Sequence, residues 1–213
     1  MRPGVTLLDD ALLARIVGEA FTLLGETGAR VQAPAAQALL AAHGATVADG
    51  IARFPEPMLR AALASAPRRF HLYDRAGAPA VEYGGVHSHF DPGSSCVNVL
   101  DPDTRAPRTA MAADLVRLVQ VAEALPAYAA QSTAMVCGEI PEGIADLYRL
   151  FLVLWYSAKP VVTGAFSAET TRAMLALLEA ESGGAAALRA RPRAVFDVCR
   201  CRRSSGPTTR VRA

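Results

Sequence analysis

Residues 158–166, with the sequence Ala158-Lys-Pro-Val-Val-Thr-Gly-Ala-Phe166, decide the fold class of this 213-residue chain. Pro160–Thr163 is a short apolar run, typical of a strand that is buried on both faces. A mostly apolar segment of helical length, Glu142–Ser157, precedes this run, and Ser167 is placed to cap a second helix, Ala168–Glu181. A buried strand between two helices predicts a parallel α/β sheet.

The same alternation continues on both sides of this segment. Tyr128–Val136 is an earlier strand candidate, and Ala194–Val198 is the next strand. Strand, helix, strand, helix, strand is the opening of a β/α barrel. A complete barrel takes roughly 250 residues, and about 90 residues follow Pro126. The sequence therefore predicts a truncated TIM-type β/α barrel of about three strands.

The first hundred residues have a different pattern. Three helices are predicted before Pro67, with a hairpin that turns at Asp49-Gly50. The sequence predicts an N-terminal α+β cap, residues 1–108, followed by barrel units, residues 109–198. Four short alternating runs in the cap predict an antiparallel meander: Phe70–Tyr73, Ala80–Tyr83, Val86–Phe90 and Cys96–Leu100.

Charge is distributed unevenly along the chain. Residues 198–213 contain five Arg and no acidic residue, whereas residues 1–197 contain more acidic than basic residues. The body therefore lacks the basic surface of a nucleic-acid-binding protein. We interpret residues 199–213 as an out-of-frame, disordered tail that arose by a one-base deletion, a frameshift. With one choice of synonymous codons, a shifted frame reads Cys199–Thr209 as Pro-Val-Ser-Pro-Leu-Lys-Trp-Thr-Asp-Asp.

No segment indicates export or membrane insertion. The N-terminus leads into an amphipathic helix without the apolar run of a signal peptide. The longest apolar stretch, Leu150–Tyr156, is too short to span a bilayer. Four cysteines in a chain of this size do not require a disulfide scaffold. The sequence predicts a soluble, cytoplasmic protein that has no membrane partner.

Four stretches, in this order along the chain, resemble the trimethylamine methyltransferase family, which includes the glycine betaine:corrinoid methyltransferases. They are Leu23–Val31, Ala64–Asp74, His89–Ser94 and, above all, Ala158–Phe166. The similarity runs from about residue 7 to Cys199. Beyond Cys199 the family pattern continues as Cys-Pro-Val-Ser-Pro-Leu, which the shifted reading frame supplies.

The resemblance implies a β/α barrel that moves a methyl group from a methylamine or quaternary amine, such as trimethylamine or glycine betaine, to cobalt. The cobalt belongs to a corrinoid (cobalamin) that a separate corrinoid protein carries, so the chain itself binds no cofactor directly. Full-length relatives are expected to be homo-oligomeric. The trimethylamine enzymes place pyrrolysine in the second half of the barrel, which this chain lacks. Because the predicted barrel is unfinished, we expect the chain to be inactive alone.

Candidate site residues follow from the barrel. Its chemistry gathers at the carboxyl ends of the strands. Gln131, Thr133 and Thr163 lie near these ends and offer hydrogen bonds to a substrate, and Phe166 offers an aromatic face to a quaternary ammonium group. The alternative is that these residues pack the top of the barrel and shape its loops. No residue is identified as catalytic.

Two further patterns favour different functions. His87, His89 and Asp91 alternate, so on a strand they share one face and would suit a metal-dependent hydrolase. The alternative is a solvent-facing polar edge. Cys199-x-Cys201 resembles half of a metal or redox pair, but the frameshift makes Cys201 accidental. A third reading is a non-catalytic fragment that complements a separately encoded barrel half.

Two predictions concern the interior of the barrel units. Trp155 and Tyr156 lie on an apolar helix near Leu150 and Leu154, and we predict that both aromatic residues belong to the core. Cys137 follows a strand candidate, and we interpret it as a small buried apolar residue. A thiolate role would need an electropositive partner, which the sequence does not identify.

Overall fold

The computed structural model of the protein describes residues 7–197. Within them the chain forms seven helices and ten short strands, and it divides between Pro67 and Arg68 into two compact units. The predicted mixed α/β class is confirmed, and the sheets of this range do not close into a barrel. No helix in the range is long and apolar enough to cross a membrane. The tail predicted over residues 199–213, which includes Cys199 and Cys201, lies outside the described residues.

The first unit contains three helices and three strands, in the order α1 (Asp10–Glu26), β1 (Ala29–Arg30), α2 (Pro34–Ala42), β2 (Thr46–Ala48), β3 (Ile51–Arg53) and α3 (Glu56–Ser65). β3 lies between β1 and β2 in an antiparallel sheet. The hairpin between β2 and β3 turns at Asp49-Gly50, as predicted, with φ angles of 51° and 73°. Positive φ at both positions is what a type I′ turn requires.

The second unit contains the remaining elements: β4 (Arg69–Tyr73), β5 (Pro79–Gly84), β6 (Asn98–Leu100), β7 (Pro107–Thr109), α4 (Ala112–Ala124), β8 (Gln131–Ser132), α5 (Glu142–Tyr156), β9 (Val161–Gly164), α6 (Ala168–Ser182), α7 (Ala185–Ala190) and β10 (Ala194–Asp197). β4 pairs with β5, and β6 pairs with β7, both in the antiparallel sense. These two pairs form separate sheets.

The predicted four-run meander is wrong at its third run and in the pairing of its fourth, whose strand β6 pairs with β7 and not with an earlier run. Val86–Phe90 is not a strand, because two consecutive glycines with positive φ turn the chain away at the end of β5. Phe90 forms a parallel bridge with Tyr128, and Cys96 forms one with Met135. An alternating pattern shows that a segment is half-buried and extended, but it does not select the partner or its direction.

The parallel sheet is confirmed, with the strands in the order β8-β9-β10. Val161 of β9 pairs with Gln131 on one side and with Ala194 on the other. β8 is much shorter than the strand predicted over Tyr128–Val136. One apolar cluster joins α4, α5 and α6 to β9, and its largest wholly buried members are Leu115, Val119, Leu150, Val153, Val161, Met174 and Leu178.

The prediction that Trp155 and Tyr156 belong to the core is wrong. Their exposed fractions are 66% and 41%, whereas Leu150 and Val153 on the other side of α5 are wholly buried. The ring of Phe151 lies 5.7 Å from that of Trp155, so α5 presents an aromatic surface outward. The helix is apolar on most of its circumference, and hydrophobic periodicity then cannot distinguish the buried side from the exposed side.

Candidate functional site

The carboxyl ends of the parallel strands meet along one edge of the sheet, which we call the carboxyl edge. Gly164 ends β9 and Asp197 ends β10, and these two residues are register partners. The chain beyond β9 carries Phe166, whose exposed fraction is 61%. Ligands of α/β sheets bind beyond the carboxyl ends of the strands. This edge is therefore the candidate functional site.

Thr133 and Thr163 lie together just below the carboxyl edge. Ser132 pairs with Val162, so the next residues of the two strands are also neighbours. The two threonine hydroxyl oxygens are 3.0 Å apart, and both residues are buried. Each hydroxyl therefore has the other as its hydrogen-bond partner, and the pair holds β8 against β9.

Gln131 is completely buried and is directed toward α4. Its side-chain amide donates a hydrogen bond to the carbonyl oxygen of Val119 at 2.9 Å, while its Oε1 atom has no partner among the described residues. Alternate residues of a strand share a face, so Gln131 and Thr133 lie on the side of the sheet that packs against the helices. The structure thus brings Thr133 and Thr163 together. Gln131 lies on the same face of the sheet, two residues before Thr133.

The opposite face of the sheet carries a different set of side chains. It presents Ser132 from β8, Val162 and Gly164 from β9, and Val195 and Asp197 from β10. The hydroxyl of Ser132 donates to the carbonyl oxygen of Gly93 and is buried, whereas Asp197 is exposed. A Cβ added at Gly164 would lie 3.9 Å from the Phe166 ring, so this ring lies close to the same face.

Arg149 is a buried cation that the sequence analysis missed. Its Nη1 atom donates to the carbonyl oxygens of Thr133, at 3.1 Å, and Met135, at 3.4 Å, and its Nη2 atom pairs with the Asp146 carboxylate. Only 3% of the Arg149 side chain is exposed. The guanidinium therefore fixes the chain where it leaves β8 for the carboxyl edge. The signal available in the sequence was the pair of opposite charges at Asp146 and Arg149, three residues apart within the apolar run of α5.

A second charged group spans the turn after β6, β7 and the first turn of α4. Arg108 donates to both carboxylate oxygens of Asp114, at 2.6 and 2.8 Å, and to Asp101 at 3.1 Å. Hydrogen bonds lower the pKa of both carboxyls to about 2. For Asp101 the largest effect comes from the backbone N–H of Thr104 and the next from Arg108, and for Asp114 the largest comes from Arg108. Arg108 bonds to both carboxylates, so the three charges compensate one another within the group. We therefore assign the group a structural role.

The structure does not assemble the three residues of the predicted metal set. The His87 and His89 rings stack with centroids 6.2 Å apart, and His89 Nε2 lies 2.6 Å from the carbonyl oxygen of Glu82. The Asp91 carboxylate accepts the Gly93 N–H at 2.8 Å and so forms a local turn. Among residues 7–197, no group of three His, Cys, Asp or Glu side chains is placed to hold a metal ion.

Cys137 is buried, with 1% of the residue exposed, as predicted. Burial raises the pKa of its thiol, and the nearby carboxylate of Glu139 raises that pKa further, against the opposing effect of Arg149. The thiol therefore stays protonated near neutral pH and has little nucleophilic character. It behaves as a small apolar residue of the core.

Comparison with known proteins gives one family. The family model described as trimethylamine methyltransferase (MTTB) matches residues 1–200. This range includes the whole of the first compact unit, the second unit from Arg68 to residue 200, and every strand of the parallel sheet. No curated protein matches the chain.

Proposed function

Because the chain belongs to the trimethylamine methyltransferase family, we propose that it serves the transfer of a methyl group from a methylamine or quaternary amine to a corrinoid protein. The observation that carries the proposal is the family match over residues 1–200, which includes the parallel sheet and its carboxyl edge. The corrinoid, in this proposal, belongs to the partner protein and meets the chain only at this edge.

We propose that β8, β9 and β10 are strands of a β/α barrel. Their parallel register, the helices between them and the burial of one face against α4, α5 and α6 all support this assignment. The sequence-based division into a cap, residues 1–108, and barrel units, residues 109–198, stays a proposal. The parallel bridges of Phe90 and Cys96 favour an earlier start for the barrel part.

The amine would lie on the face of the sheet that the helices do not cover. Val162, Gly164 and Val195 form an uncharged, half-buried floor there, and Phe166 stands exposed beside it. An aromatic face attracts a quaternary ammonium group. The exposed carboxylate of Asp197 adds a negative charge at the rim. A cation can therefore be held while its methyl groups stay directed outward.

The sequence-predicted residues take a different part in this proposal. Thr133 and Thr163 are buried and bonded to each other, and Gln131 is bonded to α4. We propose that they position the ends of β8 and β9 beneath the substrate, and that Phe166 contacts the amine. Because their hydrogen bonds are internal, their effect on catalysis would come through the placement of the carboxyl edge.

The reaction is a displacement at the methyl carbon. A partner's reduced corrinoid, when it meets this edge, would supply the electron pair for the new bond, and the pair of the C–N bond would leave with the nitrogen. The residues of this chain would bind the cation and orient one methyl group outward, and a completed barrel would exclude water from it. An exposed Phe166 and an exposed Asp197 fit a methyl acceptor that approaches from another protein.

The isolated chain should not complete this reaction. Within residues 7–197, β10 pairs with β9 along one edge and no strand covers its other edge. The described part of the chain therefore encloses the proposed amine site on one side only. We also propose a cytoplasmic location and self-association of full-length relatives, both of which rest on the resemblance and the sequence.

A chimaera tests the proposal directly. Residues 1–197 of this chain replace the equivalent part of an active member of the family, and cobalt methylation is followed by absorbance with trimethylamine and with glycine betaine. The proposal predicts amine-dependent turnover by the chimaera and none by the isolated chain. A folded chimaera without turnover on a panel of methylated amines would reject the assignment of these residues to the methyl-transfer site.

A further inference from the structure

The edge of the sheet opposite the carboxyl edge carries a polar cavity that the proposed methyl transfer does not use. It measures about 190 Å³, enough for roughly six water molecules. Nine residues line it: Asp74, Arg75, Ala76, Gly77, Glu181, Ser182, Ala187, Arg191 and Arg193. We call it the amino-edge cavity, because Arg193 immediately precedes β10 and bonds to the residues that precede β9.

Two of its arginines are fixed on one carboxylate. Arg193 pairs with Glu181 through Nη1 and donates through Nη2 to the carbonyl oxygens of Ala158 and Lys159, at 3.3 and 3.2 Å. Arg75 donates to the same Glu181 oxygen at 3.2 Å. Only 4% of the Arg193 side chain is exposed. The cavity therefore has one buried guanidinium, that of Arg193, and a partly exposed one, that of Arg75, bonded to the same carboxylate.

Buried polar atoms of this cavity have no partner within the described residues. They are Nε of Arg193, Oγ of Ser182 and Oε2 of Glu181. A buried polar atom without a hydrogen bond is unfavourable by about 1–3 kcal/mol, so three at one cavity indicate a ligand or ordered water. Two of these atoms can donate and one can only accept.

The charge of the cavity favours an anion. Three guanidinium groups face two carboxylates, those of Asp74 and Glu181, and this leaves one positive charge in excess. The excess falls to Arg191, which makes no ion pair within residues 7–197. The Asp74–Ala78 turn leaves room for this guanidinium, because a Cβ added at Gly77 would overlap Arg191 Nη1.

Burial lowers the pKa of Arg193, and the charge of Arg75 lowers it further, while Glu181 opposes both effects. An anion in the cavity would relieve the mutual repulsion of the arginines. The residue remains a cation at neutral pH, because arginine does not lose its proton in proteins.

We propose that the amino-edge cavity binds a phosphate group that retains a proton. Its unprotonated oxygens accept from Arg191, Arg193 Nε and Ser182, and its P–OH group donates to Glu181 Oε2. A protonated phosphate matches the donors and the acceptor together, whereas sulfate and carboxylate anions lack the hydroxyl near neutral pH. The site is distinct from the carboxyl edge, so it holds whether or not the chain takes part in methyl transfer.

Titration calorimetry with the full chain tests this proposal, in a buffer free of oxyanions at neutral pH. Sodium phosphate should bind with a Kd of about 1 mM or tighter, and sodium sulfate at least about tenfold more weakly. Methyl phosphate, titrated in parallel, distinguishes a free phosphate ion from a phosphate monoester by which of the two binds more tightly.

Arg191→Gln should weaken phosphate binding about tenfold or more, because it removes the unpaired cation. Arg191 is an exposed residue between α7 and β10, so the variant should fold. Arg189→Gln is the matched control, since Arg189 is exposed on α7 and does not line the cavity. No phosphate binding by the wild-type chain at 10 mM, about ten times the expected Kd, would overturn the proposal. Equal binding of sulfate and phosphate, or unchanged binding by Arg191→Gln, would do the same.

Discussion

The Arg149 guanidinium donates to the carbonyl oxygen of Thr133 at 3.1 Å and thereby joins the buried side of α5 to the end of a strand of the parallel sheet. Asp146, one turn earlier on the helix, balances its charge. The carboxyl edge, where we place the amine, is therefore held by a buried ion pair as well as by backbone pairing.

Replacing Arg149 by Met should destabilise the protein strongly. The substitution keeps the length of the side chain but leaves the carboxylate of Asp146 buried without its partner. We expect the free energy of unfolding to fall by about 3 kcal/mol, measured by urea denaturation. The double variant Asp146→Asn/Arg149→Met should lose less, because it leaves no unpaired charge. A single variant as stable as the wild type would show that the pair does not support the edge.

The threonine pair offers a second test of the same region. Thr163→Val removes the partner of the Thr133 hydroxyl, which is buried, and should lower the free energy of unfolding by about 1–3 kcal/mol. The double variant Thr133→Val/Thr163→Val leaves no orphaned hydroxyl, so its loss should be smaller than the sum of the two single losses. Strictly additive losses in a double-mutant cycle would show that the two hydroxyls do not interact.

The sheet could be predicted from the sequence because its signals are local. An apolar run between two helices indicated β9, and the hydroxyl of Ser167 accepts the Thr170 N–H at 3.0 Å, as expected for a helix cap. The directions of short segments could not be predicted. Phe90 and Cys96 pair with residues about forty positions later in the chain, and no local pattern encodes that choice.

The sequence placed Thr133 and Thr163 near the carboxyl ends of two different strands, and the structure brings their hydroxyl groups together. Their part in a substrate site stays a proposal. Which face the helices cover depends on packing between distant segments, so their burial was not predicted. The same limitation applies to α5. Both sides of this helix are apolar, so its sequence did not indicate that Trp155 is exposed. Arg149 was not predicted, because only the hydrophobic periodicity of α5 was considered.

Acid should weaken the ion pairs of Arg108. The pKa of Asp114 is about 2 in the folded protein, below its usual value of 3.8. The folded state then binds fewer protons than the unfolded state, so the stabilisation is complete above about pH 4 and disappears as the pH falls toward about 2. In thermal unfolding, Arg108→Gln should lower Tm by a few degrees near neutral pH, and the difference from the wild type should shrink in this window.

Arg172→Gln, a substitution at an exposed residue of α6, is the control for the acid experiment. It removes the same charge from the chain without touching Asp101 or Asp114. A Tm difference for Arg108→Gln that stays constant between neutral pH and about pH 2 would contradict the assigned pKa shift.

The exposure of Trp155 can be measured directly, because it is the only tryptophan of the chain. With 66% of the residue exposed, its fluorescence should be quenched readily by acrylamide in the folded protein. Trp155→Gln should change the free energy of unfolding by less than about 0.5 kcal/mol. Leu150→Ala on the buried side of α5 should lower it by about 2–5 kcal/mol. Poor quenching, with a large loss for Trp155→Gln, would restore the core assignment.

Phe166 carries the sharpest prediction about function. If its ring faces the ammonium group, Phe166→Leu in the active chimaera should raise KM for the amine about 2- to 30-fold and change kcat little, because the ring is lost while apolar volume is retained. Phe151→Leu, at a partly exposed aromatic residue of α5, is the matched control and should leave KM unchanged. Equal KM values for the two variants would place the amine away from Phe166, and a loss confined to kcat would assign the ring to orientation of the methyl group.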